Sequence, residues 1–137
     1  MEIKTPRVAV DGIVKLFGED GKFKGIVLVD RKYHPHGLAL PGGFVDIGEK
    51  VEDALVREMR EETSLNVKIE SIHGVYSDPE RDPRFHTVSI VFVCSAVGSP
   101  KGGDDAKEAR VYKLEDIPFE RIVFDHGKIL QDYLKKI

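Results

Sequence analysis

Three glutamates, Glu58, Glu61 and Glu62, continue a helical pattern that begins apolar, and their spacing is where chemistry enters this chain. From about residue 49 to 63 the sequence holds no proline or glycine and is rich in helix formers. Val51, Ala54 and Leu55 mark one stripe at helical spacing, with Met59 on its edge. Extended by three, four and seven residues, the stripe reaches Glu58, Glu61 and Glu62, while Lys50, Asp53, Arg57 and Arg60 fall on the opposite face. A solvated charge run would turn its acids outward; these are expected to point with the core. Glu58 and Glu62 also form a like-charge i,i+4 pair, which costs a few tenths of a kcal/mol. Carboxylates gathered at the edge of a core need protons or a cation. An all-oxygen donor set suits Mg²⁺ or Mn²⁺. The spacing therefore predicts a divalent-cation site.

Just before this helix, Pro41, Gly42, Gly43 and Gly48 punctuate a loop. Gly43, five residues, Glu49, seven residues, Arg57-Glu58, then Glu61-Glu62 and the aliphatic Leu65 together resemble the Nudix box. One position departs: the glycine expected before the closing aliphatic is Ser64. That glycine serves helix termination, so a different helix exit with intact metal binding is expected. The resemblance implies an α/β fold, the Nudix-type α/β/α sandwich with a mixed β-sheet. It implies metal ligands Glu58, Glu61, Glu62 and the backbone carbonyl of Gly42, which no Cβ would obstruct. Mg²⁺ is the implied cofactor, with Mn²⁺ as its alternative, and Glu58 and Glu61 are the implied catalytic acids. A further catalytic acid from outside the box is expected among Asp104 and Asp105, with Glu108 behind them; Asp105 is taken as that acid. Gly43, Glu49 and Arg57 are box residues with a structural role. The helix phase puts Arg57 off the acidic face, so it and Glu49 are expected to tie loop to helix.

Substrate choice must come from outside the box. Residues 74–92 (GVYSDPERDPRFHTVSIVF), the LPGGFVD entry to the box, and residues 102–108 and 124–126 are similar to small bacterial and archaeal ADP-ribose pyrophosphatases. They are similar also to the Nudix domains of ADP-ribose-sensing regulators. This implies a hydrolase of a nucleoside diphosphate linked to another moiety, cutting ADP-ribose to AMP and ribose 5-phosphate. The alternatives are a nucleoside triphosphate pyrophosphohydrolase on the same box and a noncatalytic ADP-ribose-binding module. The module is disfavoured because the acids are complete and the chain ends at Ile137 without a DNA-binding domain. A proline about sixteen residues past the box often marks the subclass; here that position is Arg81, between Pro79 and Pro83. Arg84, Arg81 and Arg31 are the candidate partners for phosphate oxygens, although Arg81 could equally pair with Asp78 or Asp82. Phe44 and Tyr76 either stack a base or belong to the core. His34 and His36 read as loop histidines.

Several elements must position these groups. Residues 7–17 and 24–31 read as strands joined by a turn-rich GEDGKF segment, a hairpin. Residues 67–76 and 85–97 read as further strands, followed by a short one at 109–114. Ile129, Leu130, Tyr133 and Leu134 give the last stretch a helical stripe that Asp125 is placed to cap. The length of 137 residues suits one Nudix hydrolase domain over 1–137, and 41% hydrophobic with 33% charged residues is ordinary for a globular chain. A net charge of -3 provides no basic field for nucleic acid. The lone Cys94, in an apolar run, excludes a disulfide framework and a thiolate metal cluster. No signal-peptide core and no apolar run approaching ~20 residues is visible. A cytoplasmic protein is expected, acting on a small-molecule nucleotide, with no membrane or nucleic-acid partner. The resemblance allows a homodimer, which composition neither supports nor excludes.

Overall fold

Alternation of apolar side chains along the central strands builds two cores. A computed structural model describes residues 2–103 and 106–137. In β1 (Arg7–Phe17), Val10, Val14 and Leu16 turn to one face and Ile13 to the other. β2 (Phe23–Arg31) sets Val27 and Val29 against Ile26 and Leu28 in the same way. The short β3 (Leu38–Ala39) and β4 (Gly42–Phe44) follow. Next come helix α1 (Val51–Thr63), β5 (Lys68–Tyr76) and β6 (Thr87–Val97). β7 (Ala106–Tyr112) and helix α2 (His126–Leu134) complete the chain. α1 closes one core with Ala54, Leu55 and Met59, and α2 closes the other with Ile129, Leu130 and Tyr133. A period of two in the strands and 3.6 in the helices thus yields one helix on each face of the sheet. This is the expected α/β/α sandwich.

The sheet runs β3-β2-β1-β6-β5, with β4 also paired to β1 and β7 to β2. β1 and β6 are parallel over their whole length, from Arg7 opposite Thr87 to Phe17 opposite Val97. The other pairings are antiparallel, so the sheet is mixed. No helix among the described residues is long and apolar enough to cross a membrane.

Three local expectations are corrected. The strand expected at 109–114 starts earlier, as β7, because it takes its register from β2; Leu114 belongs to a short 3-10 turn. The helix exit at Ser64 is not altered: the serine adopts φ 62°, ψ 19° and its N–H reaches Arg60 O at 3.0 Å. It takes the left-handed geometry that glycine prefers, at a steric cost of about 1 kcal/mol. Asp125 precedes α2 but makes no capping hydrogen bond with its side chain, which is held elsewhere.

Candidate active site

The Gly42–Gly43 pair is where β1, β4 and α1 come closest. Gly42 lies opposite Asp11 and Gly43 opposite Val10 in the β1–β4 ladder. A Cβ on Gly42 would collide with the Val10 carbonyl and the Asp11 carboxylate. One on Gly43 would collide with the Glu58 carboxylate. Neither glycine has a positive φ; both are needed for close approach, not for unusual backbone. Glu58 and Glu62, one helical turn apart, are 8% and 6% exposed. Both line a cleft of about 320 Å³ together with Gly42, Gly43 and Asp46.

Glu61 does not join them. It is exposed, and its carboxylate meets Arg57 Nη1 at 3.2 Å. The apolar stripe drifts along the helix, and position 61 falls outside the buried arc that keeps 58, 59 and 62. Arg57 ties the box loop to the helix as expected, and it also reaches the acids. Its Cα faces away, but its long side chain curls back. Nε and Nη2 clasp Glu49 at 2.7 and 2.8 Å, Nη2 also donates to Phe44 O at 3.1 Å, and Nη1 donates to Glu58 at 2.8 Å. One guanidinium therefore orients the box loop and an acid of the cleft together. The hydrogen bonds from Arg57, joined by the Asp46 N–H, bring the Glu49 carboxyl down to about 2.

Arginines and aromatic rings line the same cleft. Arg31, Arg84, Phe44 and Phe124 all line it. Arg84 is oriented from behind by buried Asp82, through Nε at 3.0 Å and Nη2 at 2.8 Å. Burial pushes the Asp82 carboxyl up, but the hydrogen bonds and charge of Arg84 outweigh it and hold the group below its ordinary range. The Arg84 guanidinium packs over Phe85 and Phe124, 5.2 and 5.3 Å from the ring centres.

Arg81 is different. Its side chain is 4% exposed, and its fork is spent on Asp125, at 3.0 and 2.7 Å, and on Thr87 O. A guanidinium so engaged ties the 78–86 loop to the start of α2, although the residue also lines the cleft. Tyr76 also lies off the cleft, bonded to Asp132 and His73 at 2.9 Å each. Asp104 and Asp105, with the catalytic role expected of Asp105, lie outside the described residues.

Sequence reasoning missed the floor of the cleft. Asp11 accepts a hydrogen bond from Ser89, and its Oδ2 stands 3.8 Å from Nε2 of buried His126. His126 Nδ1 accepts the Leu40 N–H at 2.9 Å, pinning the segment that enters the glycine pair. Burial, only partly offset by Asp11, lowers the His126 pKa and favours the neutral ring. A lone aspartate inside the apolar run of β1 was the signal available for this cluster. Phe124 falls in the 124–126 segment that carries the resemblance, but nothing local signals its φ of 58°.

Among the described residues no group of three or more His, Cys, Asp and Glu side chains converges tightly enough to grip an ion unaided. Two buried carboxylates and a nearby backbone carbonyl nevertheless suit a hard divalent ion. Such an ion keeps several waters and takes further ligands from substrate phosphates.

A mixed sheet between two helices, with box acids and arginines lining one cleft, defines a metal-dependent phosphoanhydride hydrolase of the Nudix type. The model described as the NUDIX domain matches residues 5–133, and the chain belongs to that family. It is 50% identical to the ADP-ribose pyrophosphatase of Methanocaldococcus jannaschii over 133 residues, covering 95% of this chain and 74% of that one. A bifunctional NMN adenylyltransferase/ADP ribose pyrophosphatase from Francisella tularensis, crystallised with AMP and a manganese ion, superposes with a TM-score of 0.79 at 29% identity. That match covers 99% of this chain and 43% of the bifunctional one. The NUDIX domain of Shewanella oneidensis NrtR, complexed with ADP ribose, shares the fold at a TM-score of 0.82 and 21% identity, covering 98% of this chain and 90% of that one.

Proposed function

We propose that this protein hydrolyses ADP-ribose to AMP and ribose 5-phosphate with a divalent ion, Mg²⁺ or Mn²⁺. The observation that carries the reading is the polarity of the cleft. Buried Glu58 and Glu62 line the same cleft as Arg31 and Arg84. A diphosphate bound there meets cations at the arginines and needs a metal at the acids. The half-identical archaeal relative supports the same substrate.

Glu58, Glu62 and the Gly42 carbonyl would hold the ion. When bound, it neutralises phosphate charge and lowers the pKa of a coordinated water. Arg57 keeps the Glu58 carboxylate aimed while sharing its charge. Glu61, exposed and bonded to Arg57, is the box acid that would exchange a proton with solvent. Asp105 remains the candidate for a further acid outside the box. Arg84, immobilised by Asp82, and Arg31 bind the diphosphate oxygens. Phe44 and Phe85, whose rings lie 5.8 Å apart, supply apolar surface beside them for the base. His126 and Asp11 position the Leu40–Gly42 turn from beneath.

The test is a panel of ADP-ribose, other nucleoside diphosphate derivatives and nucleoside triphosphates, incubated with Mg²⁺ or Mn²⁺ and with products separated by chromatography. AMP and ribose 5-phosphate from ADP-ribose, in preference to the rest, are expected. Preferential triphosphate cleavage would overturn the substrate assignment.

A further inference from the structure

Phe124 packs against the core that α1 closes and also lines the cleft. Its backbone sits at φ 58°, a left-handed conformation that bulky residues rarely adopt. Its neighbours hold it there. Val123 N–H bonds Leu38 O at 2.9 Å, the Asp125 carboxylate is clasped by Arg81, and His126 accepts the Leu40 N–H. Strain of this kind persists only where the surroundings over-determine it, and it gathers at functional sites.

The consequence of that backbone is the placement of the ring. Two cleft guanidiniums lie over it, Arg31 at 4.9 Å and Arg84 at 5.3 Å from its centre. Each is separately oriented, Arg31 by Nε donating to Pro35 O at 2.8 Å and Arg84 by its fork on Asp82. Two like charges brought to one wall repel, and an aromatic face offers both a compensating negative quadrupole. The ring also fixes both guanidiniums against a single rigid surface, and hence relative to each other.

Resting on the functional reading above, we propose that Phe124 is a positioning residue for substrate affinity: it sets Arg31 and Arg84 as a matched pair of sites for the two phosphates of the diphosphate. Its ring meets the guanidiniums of Arg31 and Arg84, so its effect falls on binding and not on the chemical step. Uniform binding energy of this kind appears in KM and leaves kcat unchanged.

The experiment compares Phe124→Leu, which keeps apolar bulk and loses the π face, with the conservative Phe124→Tyr. Phe124→Leu is expected to raise KM for ADP-ribose about tenfold with kcat within about twofold, and Phe124→Tyr to restore KM. In an Arg84→Ala background, Phe124→Leu should raise KM by much less, because half of the pair is already gone. A KM that does not change, or a kcat loss as large as the KM effect, would overturn the proposal. If ADP-ribose is not the favoured substrate, the functional reading fails alone, and the same KM ratio is read on whichever diphosphate of the panel is cleaved. Inorganic pyrophosphate titrated calorimetrically in chelator tests the arginine pair without turnover. Several-fold weaker binding to Phe124→Leu supports the pair, and equal or undetectable binding in both proteins overturns it. Melting temperatures for both variants within a few degrees of wild type show that the comparison is between folded proteins.

Discussion

Adding one methyl group at Gly43 should inactivate the enzyme while leaving it stable, and the same addition at Gly42 should destabilise the fold. At Gly43 the new Cβ would lie 2.5 Å from Glu58 Oε1, where real contacts keep 3.0 Å or more, so the carboxylate must retreat by at least about half an ångström. Glu58 can do so, because its carboxylate is the end of a side chain held by the 2.8 Å bond from Arg57. A misplacement approaching 1 Å at a reacting centre costs ~100-fold, and about that loss of turnover is expected for Gly43→Ala. Stability should barely change. Replacing a glycine of ordinary φ stabilises through the unfolded chain by ~0.4–1 kcal/mol. The strained ion pair loses a similar amount, ~0–1 kcal/mol. At Gly42 the obstacles are the Val10 carbonyl and the Asp11 Cα, which is 2.9 Å away. These are backbone atoms of β1 and cannot swing aside, so overpacking of ~3 kcal/mol and a melting temperature lower by roughly 10 °C are expected. Steady-state hydrolysis of ADP-ribose at saturating Mg²⁺ and thermal melts on both variants make the comparison. Near-normal turnover in Gly43→Ala would show that the Glu58 position does not matter, and a melt as low as that of Gly42→Ala would show the glycine to be structural.

Three further outcomes are expected. Ser64→Gly removes the left-handed strain at the end of α1 and should stabilise by about 1 kcal/mol, raising the melting temperature by ~2–4 °C; no change would mean that the serine is unstrained. Glu62→Gln keeps side-chain volume and relieves repulsion with Glu58, so turnover should fall by orders of magnitude while the metal-free melting temperature stays level or rises. Wild-type turnover in that variant would refute the metal assignment. Burial lowers the His126 pKa, so below about pH 6.5 the unfolded chain binds a proton that the folded chain refuses, and stability falls as pH drops. His126→Asn, which keeps an acceptor for the Leu40 N–H, should reduce the fall between pH 6.5 and 5, leaving the share from His73, whose pKa burial and Lys136 also lower. Chemical denaturation across that range would show an unchanged slope if His126 does not titrate on unfolding.

Much of this arrangement was legible because it is periodic. The apolar stripe placed Ala54, Leu55, Glu58 and Glu62 on one buried face, and strand alternation gave both faces of the sheet. What escaped was set by reach and by distant pairing. Helix phase locates a Cα, whereas the head group of Arg57 lies several bonds further on and returns to the acids its backbone faces away from. Arg81 looked like a loop cation until a partner 44 positions away buried it. His126 meets Leu40 across 86 positions, and no local pattern encodes such an encounter. Ser64 misled in the other direction, because the surrounding helix and sheet impose glycine's geometry on a residue that does not favour it.

The parallel pairing of β1 with β6 also bears on how the chain is made. Each residue of β1 waits for a partner 80 positions later, as Arg7 waits for Thr87. At ribosomal rates of ~5–20 residues per second, that interval lasts about 4–16 s. During it the nascent β1–β2 hairpin can form locally, but the edge of β1 that carries Val10, Ile13 and Val14 into the centre of the sheet stays open. Such an edge is a template for any passing strand. The newborn protein should therefore be most vulnerable to aggregation, and most dependent on chaperones, just before Val97 emerges.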